Sequence, residues 1–222
     1  MSAIDLDPAA ILDFLRSRRS ERQFSGAPIE RAVLERILAT ALTAPSASNR
    51  QPWRFVVVTE AERRRQIATA VRVRADEMKA IIARSHHADE FGDYGDFFHE
   101  PLEGAAAIVV PYYRETRDLT AALVASGGGD PARFEIGRAM HAELAATSAA
   151  VMLLLLAAHA EGLGACWMAG PMLGRADISR LCGVGEPWHM LGAVALGHRT
   201  SAGETGAKPA RKPFERVVEF IE

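Results

Sequence analysis

Apolar and polar positions repeat along this chain with two distinct periods. Behind Asp7-Pro8, the residues Ile11, Leu12, Phe14 and Leu15 fall at helical spacing, with an aspartate suited to capping and a proline suited to the first helical position. This predicts a helix ending near Arg18. From Pro28, the three-and-four spacing returns at Val33, Leu34, Ile37, Leu38, Ala41 and Leu42, up to the turn-forming run Pro45-Ser46-Ala47-Ser48-Asn49. "FVVVT" at Phe55–Thr59 predicts the first strand, residues 60–84 a polar, arginine-rich helix, and "AAIVVPYY" from Ala106 a second, buried strand. After "SGGGD" at 126–130, Pro131 is expected to open a long helix running to about Ala160, closed by Gly162-Leu163-Gly164 as a glycine stop. Short strands fit Ala165–Met168 and Leu191–Leu196, and the tail "RVVEFIE" can form another.

Two helices precede any strand, and helices and strands do not alternate regularly afterward, which argues against a doubly wound parallel sheet. The expectation is an α+β fold with a mixed central sheet flanked by helices. No internal repeat, low-complexity linker or composition break divides the chain, so residues 1–222 read as a single domain. The most apolar run, "AAVMLLLLAA" at Ala149–Ala158, is flanked by Glu143, His159 and Glu161 and is short of a membrane span. A buried helix is the expectation there.

Charge narrows the function. With 26 Lys+Arg against 28 Asp+Glu the net charge is −2, which offers no general affinity for nucleic acid or acidic membranes. The start "MSAIDLDPAAILDF" carries acids where a secretory signal carries basic residues, and the two cysteines, Cys166 and Cys182, show no metal-binding spacing. Both features point to a cytoplasmic protein. Four arginines nevertheless crowd the start at Arg16, Arg18, Arg19 and Arg22. Such a run is either a solvated helix end or a local anion site.

Familiar catalytic motifs are missing. "GLGACW" lacks the third glycine of a dinucleotide fingerprint and follows a helix, and there is no phosphate-binding loop with lysine, no H-E-x-x-H and no G-x-S-x-G. The segment "SHHADEFGDYGDFFHE" (85–100) is rich in possible metal ligands at spacings that match no known loop. A solvated segment anchored by Phe91, Tyr94, Phe97 and Phe98 is one alternative; a mobile cap over a pocket, its aromatics facing a flat ligand, is preferred. Cys166 lies in an apolar context suited to a structural thiol. His141 and His159, on the long apolar helix, read as satisfied core or interface histidines.

Three blocks, taken together, resemble the FMN-dependent nitroreductase family: "RRSERQFSGAPI" from Arg18, "APSASNRQPWRFVVV" from Ala44, and "GLGACWMAGP" from Gly162, followed by "LGHR" at 196–199 and "ARKP" at 210–213. The second block is the most specific. The resemblance covers nearly the whole chain apart from about residues 60–105 and 113–130. Arginine's planar fork suits a phosphate, and FMN carries one opposite a flat ring edged with donors and acceptors.

By this resemblance, Arg18, Ser20 and Arg211 belong on the phosphate or ribityl chain, with Arg19 alongside and Arg22 near the ring, where a cation stabilises the anionic reduced flavin. Pro45, Ser46, Ala47 and Asn49 match the loop that touches the flavin from the neighbouring subunit, with Gln51 fixing that loop. Met168, Ala169 and Gly170 match the stretch that runs over the reactive centre and points a backbone N–H at flavin N5. Many relatives carry a glutamate where Ala169 aligns, so no role of that acid transfers, and no side chain is assigned as catalytic or metal-ligating.

The resemblance further implies an intertwined homodimer with two FMN sites, helix 140–160 in its interface, and a tail strand crossing to the partner. It implies a ping-pong reaction in which NADH or NADPH delivers hydride to FMN and an electron-poor acceptor, such as a nitroaromatic or a quinone, then enters the same cleft. The same scaffold also supports dehydrogenation, reductive dehalogenation and flavin breakdown. A non-catalytic flavin-binding protein and a metal-binding protein using residues 85–100 are the alternatives of a different class.

Overall fold

A computed structural model of the chain describes residues 7–134, 140–200 and 210–221. In chain order its elements are helices α1 (Pro8–Ser17) and α2 (Arg31–Ala41), strand β1 (Trp53–Val58), helices α3 (Ala61–Ile82), α4 (Ala88–Phe91) and α5 (Glu100–Gly104), strand β2 (Ala107–Arg114) and helix α6 (Leu119–Ser126). Helix α7 (Ala142–Ala160), strand β3 (Leu163–Met168), helix α8 (Arg175–Leu181) and strands β4 (Trp188–Met190) and β5 (Ala193–His198) follow.

The expected starts hold where the sequence supplies a cap. Asp7 accepts from the Ala9 N–H at 3.0 Å ahead of Pro8. The second helix begins at Arg31, three residues after Pro28, because Glu30 is still extended. The helix expected from Pro131 is divided: Pro131–Phe134 is one 3₁₀ turn, residues 135–139 lie outside the described residues, and His141 stands in the left-handed region at φ 46° before α7 starts. Gly162, at φ 75°, ends α7 as a glycine stop does. The strand expected over Leu191–Leu196 is β5, which starts two residues later at Ala193; a separate short strand, β4, ends before it at Met190, and Gly192 lies between the two. Its φ is 79°, and a Cβ there would meet the Met168 carbonyl, so no other residue fits.

Strands are ordered β1-β2-β5-β3, with β4 also pairing β2, and every strand pairing is antiparallel. The parallel component of the expected mixed sheet is a single bridge, Ser20 to Ala165. Strand β2 shows why the sheet sits at the centre. Its residues Ile108, Val110 and Tyr112 face one way into a core with Ile67, Ala68 and Val71 of α3 and Ile178 of α8. Ala107 and Val109 face the other way, against Leu34 and Ile37 of α2 and Val151, Leu154 and Ala158 of α7. An alternating strand buried on both sides thus binds two helical layers to one sheet.

Helix α7 is long and apolar enough, by length and composition, to cross a membrane, yet eight of its residues are buried within the protein. By contrast α1 buries none of its residues and exposes Ile11, Leu12 and Leu15. The tail contains one 3₁₀ turn, Phe214–Arg216, in place of the expected strand. A strand needs a hydrogen-bonding neighbour, and none lies beside residues 210–221 among the described residues; Val217, Phe220 and Ile221 are exposed.

Leu154 is wholly buried and Val73 about half exposed. Leu154→Ala should therefore lower the unfolding free energy by about 2–5 kcal/mol, and Val73→Ala by no more than about 0.5 kcal/mol, in urea titrations followed by circular dichroism.

Candidate functional site

Helix α1 ends at Ser17, and the arginine run leaves helical geometry at Arg18. Arg19 turns back to donate to the carbonyls of Arg16 at 3.1 Å and Arg18 at 2.9 Å, covering acceptors that the helix end leaves open. The chain then crosses the β3–β5 pair. Ser20 bridges Ala165, the Glu21 N–H donates to the Ala165 carbonyl at 3.0 Å, and Ser25 N–H donates to the His198 carbonyl at 3.0 Å.

Gly164 and Gly197 stand opposite each other in that strand pair. A Cβ on the first would run into the Glu21 side chain, and one on the second into the Phe24 ring. The two glycines are therefore a flat patch on which the segment rests. Glu21, buried, accepts from the N–H groups of Arg22 at 2.9 Å and Gln23 at 3.0 Å, which fixes the turn that presents Arg22. Sequence reasoning passed over Glu21; an acid among four arginines, flanked by serine, was the available signal.

The charges here are not neutralised internally. Arg16 pairs with Asp13 at 3.3 Å on the helix surface, whereas Arg18, Arg19 and Arg22 have no ion pair among the described residues. Burial pushes the Cys166 thiol upward, opposed by the nearby charges of Arg22 and Arg18, so it stays protonated and structural. Strand β3 leads directly from this basic segment to Met168, Ala169 and Gly170. Trp167 steadies that stretch by donating from Nε1 to the Leu191 carbonyl at 2.9 Å. Ala169 is exposed, and Gly170 lies under the Phe98 ring.

The loop after α2 has a different character. Ser48, Asn49 and Gln51 all have positive φ (53°, 50° and 48°), conformations that cost non-glycine residues of order 1–3 kcal/mol each. They are held by local bonds. Gln51 N–H donates to the Ser46 hydroxyl at 3.0 Å, and Gln51 Nε2 donates to Asn49 Oδ1 at 3.2 Å; Asn49 itself is exposed. Arg50 anchors the loop, donating to Thr116 Oγ1 at 2.6 Å and lying 3.7 Å from Glu143 of α7, while Trp53 packs on Ala146 and Ala150. Pro45 and Ala47 are exposed and Ser46 is half-buried.

The two halves are not adjacent within one chain. Loop 45–51 feeds β1, at one edge of the sheet, and the arginines and Met168–Gly170 flank β3, at the other. Three strand spacings separate them by about 14 Å, and the register places Trp53 about 10 Å further along than Met168. Arg211 is exposed on the tail and has no hydrogen bond to either half among the described residues.

Segment 85–100 is built on α3. Lys79 pairs with Asp96 at 2.5 Å, His99 lies 3.0 Å from Glu103, and edge-on ring contacts link Phe91 to Tyr94 and Tyr94 to Phe97 and Phe98. Among the described residues no three His, Cys, Asp or Glu side chains are grouped to hold a metal. Clefts of about 390 and 690 Å³ open along α3, and none of the residues expected to bind flavin lines either.

Comparison with known proteins identifies the family and the fold. Residues 15–198 match the model of the Nitroreductase family. An iodotyrosine deiodinase of Haliscomenobacter hydrossis is 30% identical over 111 residues, which is 50% of this chain and 50% of that protein, so the match spans about half of that relative's length. An NADH dehydrogenase of Thermus thermophilus is 31% identical over 207 residues, 90% of this chain and 91% of its own. A solved BluB-like flavoprotein from Clostridium difficile 630 superposes with a TM-score of 0.80 at 19% identity, covering 96% of this chain and 99% of its own. Iodotyrosine deiodinase bound to FMN and 3-iodo-L-tyrosine superposes at 0.67 with 20% identity, covering 96% and 99%. Likeness at such identities speaks for the fold.

The flat patch can be tested directly. Gly164→Ala should lower the unfolding free energy by about 1–3 kcal/mol in urea titrations, because Glu21 must move. Gly185→Ala, where an added Cβ meets nothing within 4 Å, should leave it unchanged or slightly raised. Equal behaviour of the two variants would refute the packing argument.

Proposed function

The chain belongs to the nitroreductase family, whose members are oxidoreductases, and from that premise we propose that it is an FMN-dependent NAD(P)H oxidoreductase acting on electron-poor acceptors such as nitroaromatics and quinones. The observation that carries this reading is the set of arginines without an ion pair among the described residues, on the segment whose Ser20 bridges β3, the strand that delivers Met168, Ala169 and Gly170 at its end. Arg18, Arg19 and the Ser20 hydroxyl are suited to a phosphate dianion, with Arg211 joining from the tail. Arg22, set by Glu21, is the cation suited to the ring.

Bound FMN would supply two-electron chemistry, taking hydride from NADH or NADPH and passing reducing equivalents to the acceptor. The protein's part is to hold and orient. The exposed stretch at Ala169 leaves room for nicotinamide and acceptor to occupy one cleft in turn, and protons can come from water there.

A second copy of the chain completes the site in this proposal. Pro45, Ser46, Ala47 and Asn49 stand too far from β3 to share a ring with Arg22 of the same chain, whereas a partner's loop can approach it. The open outer edge of β1, the exposed stripe of α1 and the apolar tail supply the surface that an intertwined homodimer would bury. Two free cysteines fit work in the cytoplasm.

The names of the deiodinase relatives, together with the aromatic segment resting on Gly170 through Phe98, favour one alternative, reductive dehalogenation of a halogenated aromatic. Halide release from such a substrate, with no turnover of nitroaromatics or quinones, would select it.

Anaerobic mixing of the FMN-loaded protein with NADH or NADPH should bleach the flavin rapidly; no bleaching with either nucleotide removes the reductase, and failure to load FMN removes the flavoprotein. Arg18→Ala and Arg211→Ala should each weaken FMN binding by about 1.5–3 kcal/mol, the worth of a charge-assisted hydrogen bond, in fluorescence titrations.

A further inference from the structure

His159, in the last turn of α7, lies between α1 and the end of β5. Arg199 Nη2 is 2.5 Å from its Nδ1, and Ser17 Oγ is 2.7 Å from its Nε2. A guanidinium can only donate, so Nδ1 accepts, and the ring is neutral with its hydrogen on Nε2. Nε2–H then donates to Ser17 Oγ, whose own hydrogen goes to the Phe14 carbonyl at 2.7 Å. The Phe14 ring lies on the imidazole with centroids 4.8 Å apart, and Arg199 donates onward to the Leu163 carbonyl at 3.1 Å. Helix α1 buries no residue of its own, and among the described residues this relay attaches it to the body directly before Arg18.

We propose that His159 is a positioning residue for the anion-binding end of the cofactor site: as the Nε2–H tautomer it clamps the last turn of α1 to Arg199 and aims Arg18 at the phosphate, and the clamp opens when the ring is protonated. The proposal rests on the FMN reading above. Protonation would turn Nδ1 into a donor facing a donor. The charged groups around the ring oppose it as well. Arg18 approaches from α1 and Arg199 from β5, while Glu161, two residues on, is held by both Arg36 Nε and Nη2 from α2 at 2.8 Å. Burial, then Arg199 and Arg18, hold the imidazole below its ordinary value of 6.5. The clamp is therefore fully closed above that value and is lost as pH falls through the lowered one.

The test compares FMN dissociation constants of wild type, His159→Gln, His159→Leu and Ser17→Ala at about pH 7.5 and about pH 5.5 by flavin fluorescence. At the higher pH, His159→Leu should weaken binding about tenfold and Ser17→Ala by a smaller factor, while His159→Gln, which keeps an acceptor and a donor, should stay within about threefold. Between the two pH values wild type should lose more affinity than His159→Gln, whose remaining dependence is the phosphate's own ionisation. Wild-type affinity in His159→Leu, or equal pH dependence of wild type and His159→Gln, overturns the proposal. A wild type that binds no FMN overturns the functional reading instead. The clamp is then judged by ¹⁵N chemical shifts of the His159 ring, where an Nδ1–H tautomer or an imidazolium at about pH 7.5 overturns it.

Discussion

The sheet is covered on both faces, and this constraint places everything else. Ile108, Val110 and Tyr112 are taken by α3 and α8, Ala107 and Val109 by α2 and α7, so no binding surface is left on the strands of the interior. Chemistry is confined to the strand ends and the two outer edges. At one edge the Gly164–Gly197 pair lets the arginine segment lie flat on β3; at the other a strained loop enters β1. A protein of net charge −2 thereby gathers unneutralised arginines at one place, through backbone pairing alone.

Much of the fold is legible in the chain because local signals and burial agree. Asp7-Pro8 starts a helix, Gly162 ends one, and the run from Ala107 is so uniformly apolar that it must be covered on both sides. Partners at a distance were less accessible. Nothing in "RVVEFIE" says that the described residues of a single chain offer it no neighbouring strand, and nothing near Leu191 announces that β5 waits until Ala193 behind a left-handed Gly192, since that demand is made by the carbonyl of Met168.

The site divides in the same way. The Arg18 and Asn49 blocks are visible because their residue types are unusual together, whereas Glu21 and His159 act by anchoring neighbours and look ordinary in sequence. His159 was expected to be a satisfied histidine, and it is one; its partners, Ser17 and Arg199, are what give the bond consequence. Satisfaction of a half-buried polar group and a role in a site are not exclusive.

The separation of the Asn49 loop from β3 has a consequence for how such a protein behaves in solution. A pocket whose walls come from two molecules obeys mass action in protein as well as in ligand. If a second copy completes the site as proposed, cofactor occupancy would depend on how concentrated the chain is: dilution would strip the ligand, ligand would drive association, and the two equilibria would reinforce each other.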